Sequence, residues 1–329
     1  MTETYSQSLV VGIDAGGTRI RACLAPAAPG GAPLGHGTGG PGNPLSVGRA
    51  DLTRHLGAAL AGAVPPGQRA AVAAVHGGFA GAAPGLGPER GEELALSCLK
   101  DALAAGGFRP AAVAIGGDTD IALAAAPGAP ADGLVLVAGT GAIAARLSGR
   151  RRELVVDGHG WLLGDEGSGF WLGDRAVRAA LEALDGRGPW TALVDAVAAH
   201  YLSAPEYQAP ADRLGPVQRH LLAESIVSAA YDRAPVLLAL LSPVAFAAAD
   251  TGDAVAGRLL DRAADLLAGS VRALGPRPGE PLVVTGGLLG PGGPLLGRVA
   301  DRLDGLGLRL FPVPDGAAGA AALARLLLE

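Results

Sequence analysis

Short apolar runs that end in glycine divide the chain into strands and turns. The run Ser8–Ile13 leads into Asp14-Ala15-Gly16-Gly17-Thr18, and a second apolar run follows at Ile20–Ala25. The same features return between Gly133 and Leu147, where GLVLVA is followed by the turn GTG and by the run IAARL. Apolar runs of this length, bounded by turn residues, are typical of buried strands. Each of the two segments therefore predicts a strand, a tight glycine turn and a second strand.

The rest of the chain alternates strand-length and helix-length patterns. Further apolar runs of strand length are Ala70–Val75, Ala111–Ile115 and Pro281–Val284. Longer segments that favour helices are Ala50–Ala63, Glu92–Ala105, Ile121–Ala126, Trp171–Leu184, Thr191–Tyr201, Gln218–Ala230, Val236–Thr251, Ala254–Leu274 and Gly316–Leu328. Because the theme of strand, glycine turn and strand starts twice, we interpret the chain as a duplicated α/β architecture. The break between the halves falls at Pro127–Asp132, whose composition ends helices and favours a linker.

Composition places the chain among compact folded proteins. With 329 residues, 49% of them apolar and 17% charged, the sequence can fill about two domains and carries no long charged tail. The formal net charge is −5, which is the wrong sign for binding a phosphate backbone or an anionic membrane surface. We therefore expect neither a nucleic-acid nor a membrane partner.

Cysteine usage and the N-terminal segment narrow the class of protein further. Cys23 and Cys98 are the only cysteines and lie far apart, which excludes a CxxC zinc site and a disulfide framework. The first residues lack a basic region and an apolar stretch of signal length. The most apolar segment, Val236–Ala249, is interrupted by Pro243 and is short for a membrane span. These features predict a soluble cytoplasmic protein.

Three glycine turns that follow apolar strands are candidates for phosphate binding. They are Gly16-Gly17-Thr18, Gly139-Thr140-Gly141 and Gly286-Gly287. Glycine permits positive φ and lets backbone N–H groups approach phosphate oxygens, and a neighbouring threonine adds a hydroxyl donor. The set matches neither a P-loop, which needs Gly-Lys-Ser/Thr, nor a Rossmann fingerprint, in which a helix follows the turn. One turn lies in each half and a third lies late in the chain, so the set indicates phosphate binding more specifically than any single turn does.

Four longer segments carry a family resemblance. VGIDAGGTRIRACLA, GLVLVAGTGAIAARL and PLVVTGGLLG resemble, in this order, the two phosphate motifs and the adenosine motif of the acetate and sugar kinase/Hsc70/actin superfamily. GHGWLLGDEGSGF is similar to the segment that marks the N-acetylglucosamine kinase branch, the BadF/BadG/BcrA/BcrD ATPase family. The resemblance implies two actin-like (ribonuclease H-like) α/β domains with a nucleotide cleft between them. Residues 1–129 would form the N-terminal domain, and residues 130–329 the C-terminal domain, whose last helix is a candidate to pack back on the first.

The resemblance also implies ATP and Mg²⁺ as cofactors. Asp14 would hold Mg²⁺ through water. A single acidic residue is enough for this role, because a hard cation with phosphate ligands needs only one or two protein carboxylates. Phosphate binding would involve Gly16, Gly17, Thr18, Gly139, Thr140 and Gly141, and adenosine binding would involve Gly286, Gly287 and Gly290.

Asp118 matches the position of the catalytic base in the family. In that role it would accept the proton of a sugar hydroxyl as the oxygen attacks the γ-phosphorus. From the residues alone, Asp118 is also a candidate N-cap for the helix predicted at Ile121–Ala126. Asp120 competes with it for both roles, and the sequence leaves the choice open.

The resemblance assigns sugar binding to two segments. The first contributes Asn43, and the second contributes Gly158, His159, Gly160 and Asp165. Asp118 would also contact the sugar. An Asn amide offers a donor and an acceptor, which suits neighbouring hydroxyls, and Asp165 would accept hydrogen bonds from hydroxyls. The chain departs from the better-known eukaryotic members at His159, where they carry Trp.

The expected activity is transfer of the ATP γ-phosphate to the 6-hydroxyl of N-acetylglucosamine or glucosamine, and the resemblance leaves a homodimer open. Two other functions stay in view. One is an activator ATPase of acyl-CoA dehydratases, which needs closely grouped cysteines for a shared iron–sulfur cluster that Cys23 and Cys98 do not provide. The other is a catalytically silent sugar or nucleotide sensor.

Overall fold

The first half of the chain folds around a five-stranded sheet in a computed structural model that describes residues 8–82, 91–203 and 210–329. Its strands are β1 Leu9–Ala15, β2 Ile20–Pro26, β3 Gly35–Gly39, β4 Val72–Phe79 and β5 Ala112–Gly117. The strand order is β3-β2-β1-β4-β5, antiparallel from β3 to β1 and parallel from β1 to β5. The accompanying helices are α1 Arg49–Ala63, α2 Glu92–Ala105 and α3 Asp118–Ala124.

The second half repeats this topology. Its strands are β6 Gly133–Ala138, β7 Ala142–Ser148, β8 Arg151–Asp157, β9 Pro281–Thr285 and β10 Arg309–Pro312. The order β10-β9-β6-β7-β8 is antiparallel from β8 to β6 and parallel from β6 to β10, so the two sheets share one connectivity. This match confirms the predicted α/β duplication.

Most of the helices belong to the second half. They are α4 Gly169–Leu184, α5 Leu193–Tyr201, α6 Pro216–Tyr231, α7 Ser242–Asp250, α8 Ala254–Ala273, α9 Leu296–Leu303 and α10 Ala317–Leu326. Short 3₁₀ helices span Pro66–Ala71, Ala211–Arg213 and Pro235–Leu241. Helices α4 to α7 build one apolar cluster with Ala256 of α8, and α8 and α9 build a second one with Leu172 of α4 and Ala245 of α7.

Helices α3 and α10 join the two sheets. Helix α10 lies on β1, where a Cβ built on Gly12 would be 2.1 Å from the Ala321 backbone nitrogen. Helix α3 packs on the second sheet, with Leu123 in one apolar cluster with Val135 and Val283. The two helices touch at Gly319, where an added Cβ would be 1.9 Å from the Ile121 carbonyl oxygen. The C-terminal helix therefore completes the first half.

Some predicted elements differ from the observed ones. The helix expected over Val236–Thr251 is divided into the 3₁₀ helix ending at Leu241 and α7, because Pro243 lacks the N–H that a continuous helix needs and fits only its first turn. Strands β3, β8 and β10 lie at sheet edges and were not expected. Strand β4 runs on through Gly77 and Gly78 to Phe79, beyond the predicted end at Val75.

Among the described residues, no single helix is long and apolar enough to cross a membrane. The pair 216–231 and 235–250, bent by 119°, meets the length and composition test only when taken together.

Replacing Gly12 with alanine tests how closely α10 approaches β1. We expect Gly12→Ala to lower the free energy of unfolding by about 1–3 kcal/mol, because the methyl group must displace helix backbone. Gly57→Ala in α1 is the matched control: its Cβ meets no atom within 4 Å, and alanine favours a helix, so stability stays equal or rises by up to about 1 kcal/mol. Urea unfolding of both variants measures the difference, and equal stabilities would contradict the packing.

Candidate functional site

Asp14 stands near the end of β1, where the first glycine turn meets the C-terminal helix. Its Oδ2 accepts a hydrogen bond of 3.0 Å from the Gly316 N–H, and Arg21 Nη1 lies 3.9 Å from the same oxygen. Only 14% of the side chain is exposed. Burial raises the pKa of Asp14 to about 6, and the charges of Asp315 and Asp118 add to the rise, while the Gly316 N–H and Arg21 oppose it. The Gly316 N–H and Arg21 therefore offset only part of the cost of burying the Asp14 charge.

Asp118 and Asp120 both lie in the first turn of α3 but differ in their burial and hydrogen bonds. Asp118 is the first residue of α3, is half-buried, and accepts a hydrogen bond at 2.9 Å from the Thr119 N–H. Asp120 is 8% exposed, and its Oδ2 reaches back to accept a 2.9 Å hydrogen bond from the Gly117 N–H, as an N-terminal helix cap does. Burial raises the pKa of both groups, that of Asp120 to about 6. The capping role therefore falls to Asp120.

The second and third glycine turns lie side by side. A Cβ built on Gly139 would be 3.8 Å from the Gly287 backbone nitrogen, and one on Gly286 would be 2.3 Å from the Ala138 carbonyl oxygen. Gly286 has φ +93°, so both its conformation and its surroundings require glycine. Thr140 is exposed beside them. Gly290 is buried, and its N–H donates a 2.8 Å hydrogen bond to the Gly286 carbonyl, which stabilises this turn.

The segment after β8 is held by Asp157, a residue that the sequence analysis missed. Its Oδ1 accepts hydrogen bonds of 2.8 Å from the N–H groups of Gly158 and Asp165, and its Oδ2 accepts one of 2.8 Å from Glu166. Asp157 has φ +64°, a conformation that is strained for a residue with a side chain. These three hydrogen bonds to one carboxylate hold the two ends of the loop after β8 together.

Asp165 connects this loop with the second glycine turn. Its carboxylate accepts hydrogen bonds from the backbone N–H groups of Ala142 and Gly160, and a Cβ on Gly141 would lie 2.6 Å from its Oδ2. Burial raises its pKa, against which those hydrogen bonds act. Backbone donors therefore engage the oxygens that sugar hydroxyls were expected to meet. Gly158 and His159 are exposed on the same loop.

Asn43 lies on a loop tied to the first glycine turn. The Gly42 N–H donates to the Gly16 carbonyl at 2.9 Å, and the Leu45 N–H donates to Asn43 Oδ1 at 2.8 Å. The amide oxygen is therefore used in a turn, whereas the amide NH₂ is left to act as a donor. Gly17 and Thr18 are exposed next to this loop.

The structure thus groups the predicted residues into two sets. Asp14 and Asp118 interact electrostatically on the first sheet's side, with Asn43 tied to the Asp14 turn. Gly139–Gly141, Gly286–Gly287 and the Gly158–Asp165 loop are linked on the second. Among the residues that the structure describes, no group of three His, Cys, Asp or Glu side chains forms a metal cluster. This arrangement suits a ligand with phosphates that spans the halves.

Two sheets of one topology with a glycine turn at the strand ends of each define an actin-like nucleotide-binding protein. The model of the BadF/BadG/BcrA/BcrD ATPase family matches residues 11–295, and the chain belongs to this family. Membership in an ATPase family implies the use of ATP.

Relatives with known names fall among sugar kinases. The chain is 32% identical over 107 residues to the N-acetylmuramic acid/N-acetylglucosamine kinase of Clostridium acetobutylicum, covering 32% of this chain and 34% of that protein. It is 32% identical over 181 residues to the N-acetyl-D-glucosamine kinase of Dictyostelium discoideum, covering 52% and 51%. The matches thus span about a third and about half of these curated relatives. The crystal structure of a presumed N-acetylglucosamine kinase from Chromobacterium violaceum superposes with a TM-score of 0.67 at 26% identity, over 98% of this chain and 100% of that one.

Neutralising Asp14 is expected to stabilise the protein in a pH-dependent way. Because its folded pKa is raised from 3.8 to about 6, the folded state binds more protons than the unfolded state in this range, and stability falls as the pH rises through it. We expect Asp14→Asn to raise the free energy of unfolding by about 2 kcal/mol at pH 8, with no gain below pH 4. Urea unfolding at both pH values measures this gain.

The exposed carboxylate of Asp304 provides the control for this measurement. Asp304→Asn should leave stability nearly unchanged at both pH values. A gain for Asp14→Asn that is equal at pH 4 and pH 8 would show that packing, and not the buried charge, is responsible.

Proposed function

We propose that this protein is an ATP-dependent kinase that transfers the γ-phosphate to the 6-hydroxyl of a hexosamine, N-acetylglucosamine or glucosamine. The observation that carries the proposal is the position of Asp118: a half-buried carboxylate that the helix does not need as its cap, in electrostatic contact with Asp14 at the first glycine turn. The named relatives, which are kinases of N-acetylated sugars, support the substrate class.

Asp118 acts as the general base in the proposed reaction. Its carboxylate accepts the proton of the sugar 6-hydroxyl, the hydroxyl oxygen forms a bond to the γ-phosphorus, and the bond to the bridging β-γ oxygen breaks to release ADP. The carboxylate also aligns the hydroxyl with the phosphorus, and positioning accounts for much of the catalysis of phosphoryl transfer. The hydrogen bond that Asp120 Oδ2 accepts from the Gly117 N–H gives this residue a capping role, which supports Asp118 over Asp120 as the base.

Asp14 is the residue that would hold Mg²⁺. The fit rests on its own environment, because this carboxylate is buried next to the charges of Asp315 and Asp118 and is incompletely neutralised by Arg21. An oxygen donor in an acidic setting is what a hard cation prefers. When bound, the ion supplies charge stabilisation to the phosphate oxygens.

The glycine turns place backbone donors where ATP would lie. Gly16 to Thr18 and Gly139 to Gly141 would meet the phosphates, with the exposed Thr140 hydroxyl as a further donor, and Gly286 and Gly287 would flank the adenosine. On the sugar side, the Asn43 amide NH₂, the loop at Gly158 to Gly160 and the Asp165 carboxylate would contact hydroxyls. A cytoplasmic location and a homodimer remain predictions of the sequence.

A coupled ADP-release assay with a panel of hexoses and hexosamines tests the proposal. We expect turnover with N-acetylglucosamine or glucosamine, and a decrease in kcat of about 100- to 10,000-fold for Asp118→Asn, the range typical of a lost general base. Asp120→Asn is the matched control on the same helix. An asparagine can still accept the Gly117 N–H hydrogen bond, so kcat should stay within about tenfold.

The outcomes separate the competing functions. Full activity of Asp118→Asn would remove Asp118 as the base. Steady ATP hydrolysis without phosphorylation of any sugar would favour an activator-type ATPase, and ATP binding without either reaction would favour a sensor.

A further inference from the structure

Helix α1 packs on a face of β3 that is made of glycines. The alternate residues of the strand that share this face are Gly35, Gly37 and Gly39. A Cβ built on each of them would lie between 2.0 and 2.3 Å from a backbone carbonyl oxygen of α1, those of Ala63, Ala59 and His55 in turn. These partners are four residues apart, which is the spacing of one helix face. The helix therefore lies directly on the strand, and His55 lies at the end of β3.

The side chain of His55 continues this contact beyond the end of the strand. Its ring lies against Gly40, where an added Cβ would be 2.5 Å from Nε2. Its Nδ1 lies 2.8 Å from the Pro41 carbonyl oxygen. Because a carbonyl oxygen only accepts hydrogen bonds, Nδ1 carries the proton and donates it to this bond. One residue of α1 thus contacts Gly39, Gly40 and Pro41 in succession.

The same loop is bound on its other side to the first glycine turn. The Ile20 N–H donates to the Gly40 carbonyl at 2.9 Å, and the Gly42 N–H donates to the Gly16 carbonyl at 2.9 Å. A Cβ built on Gly42 would lie 2.8 Å from that of Ala15. The loop is therefore held between α1 and the hairpin of β1 and β2, which carries the turn.

Asn43 follows this loop directly. Its carbonyl accepts hydrogen bonds from the N–H groups of Ser46 at 3.1 Å and Val47 at 3.0 Å, and its Oδ1 accepts one from Leu45 at 2.8 Å. These three bonds shape the turn that starts at Asn43, but they stay within one short segment. The position of the amide relative to the glycine turn therefore depends on the residues just before it.

We propose that His55 is a positioning residue of the sugar site, which sets the Asn43 amide relative to the first glycine turn through its hydrogen bond to Pro41. The inference rests on the proposed function, in which the Asn43 amide NH₂ contacts a sugar hydroxyl. A shift of the Pro41 carbonyl would move this amide with respect to the bound phosphates. Phosphoryl transfer needs the acceptor oxygen aligned with the phosphorus, and a misplacement of about 1 Å can lower a rate about 100-fold.

Two substitutions separate the hydrogen bond of His55 from the packing of its ring. Phenylalanine keeps a flat ring that can lie on Gly40 but has no donor for the Pro41 carbonyl. Asparagine lacks the ring, but its amide nitrogen is bonded to Cγ, as Nδ1 of histidine is, so the donor is kept. A residue that only fills space would tolerate phenylalanine better than asparagine, whereas a positioning donor requires the opposite order.

Steady-state kinetics of the variants test the proposal. We expect His55→Phe to lower kcat/KM for the sugar about 10- to 100-fold, with the KM for ATP changed by less than about threefold. His55→Asn should recover most of this loss. Should phenylalanine prevent folding, which urea unfolding detects, His55→Ala removes the same donor and should show the same split between sugar and ATP.

His36→Phe is the matched control, because His36 is exposed on β3. It should leave both kinetic constants within about twofold of those of the unaltered protein. Equal losses toward sugar and ATP in His55→Phe, or a loss in His55→Asn as large as in His55→Phe, would overturn the inference.

A second measurement does not need activity. Because Asn43 is the only asparagine of the chain, labelling with ¹⁵N-asparagine gives one pair of side-chain amide signals by NMR. We expect this pair to shift in His55→Phe and to stay in place in His36→Phe, and an unchanged pair in His55→Phe would overturn the inference. If the unaltered protein phosphorylates no sugar while the pair shifts in His55→Phe, the proposed function fails and the link between His55 and Asn43 stands.

Discussion

The burial of Asp14, Asp118 and Asp120 where the two sheets meet is the constraint on which the rest of the site depends. Taking carboxylates out of water is costly unless donors or cations replace the lost hydration. Here backbone N–H groups act as donors to all three: Gly316 to Asp14, Thr119 to Asp118 and Gly117 to Asp120. These donors come from the start of α10, from the end of β5 and from α3 itself. The backbone of these elements therefore replaces part of the hydration that the three acids lose on burial. The raised pKa values show that the solvation is incomplete.

The residues of the proposed site are divided between the two halves of the chain. The first half contributes the acids and the first glycine turn, and the second half contributes the other two glycine turns. Helices α3 and α10 connect them through close backbone contacts at Gly12 and Gly319. In the proposed mechanism, a ligand that spans the two halves therefore meets the acids of one and the glycine turns of the other.

The sequence was most informative where hydrophobic pattern alone decides structure. The strand at 133–138 and the helix at Glu92–Ala105 agree with the observed bounds, because each is a continuous or amphipathic apolar pattern with a clear stop. Strand β8 was missed because Arg151, Arg152 and Glu153 give it no apolar alternation at an edge of the sheet. Asp157 was missed with it. Its importance comes from the hydrogen bonds that it accepts from the following loop, which local patterns do not encode. For Asp118 and Asp120, both fit a cap by spacing, and only the observed hydrogen bond separates them.

The same reasoning changes how the loop after β8 is understood. The motif resemblance predicts a direct role for Asp165 toward the sugar, and its carboxylate also accepts hydrogen bonds from Ala142 and Gly160 and lies against Gly141. Asp157 holds the opposite end of the loop through Asp165 and Glu166. Both residues have positive φ, and such strain persists only where surrounding bonds enforce it. The two aspartates therefore fasten the loop to the second glycine turn. In the proposed function, a sugar at the Gly158 to Gly160 segment and phosphates at the second glycine turn would therefore be held by connected parts of the second half.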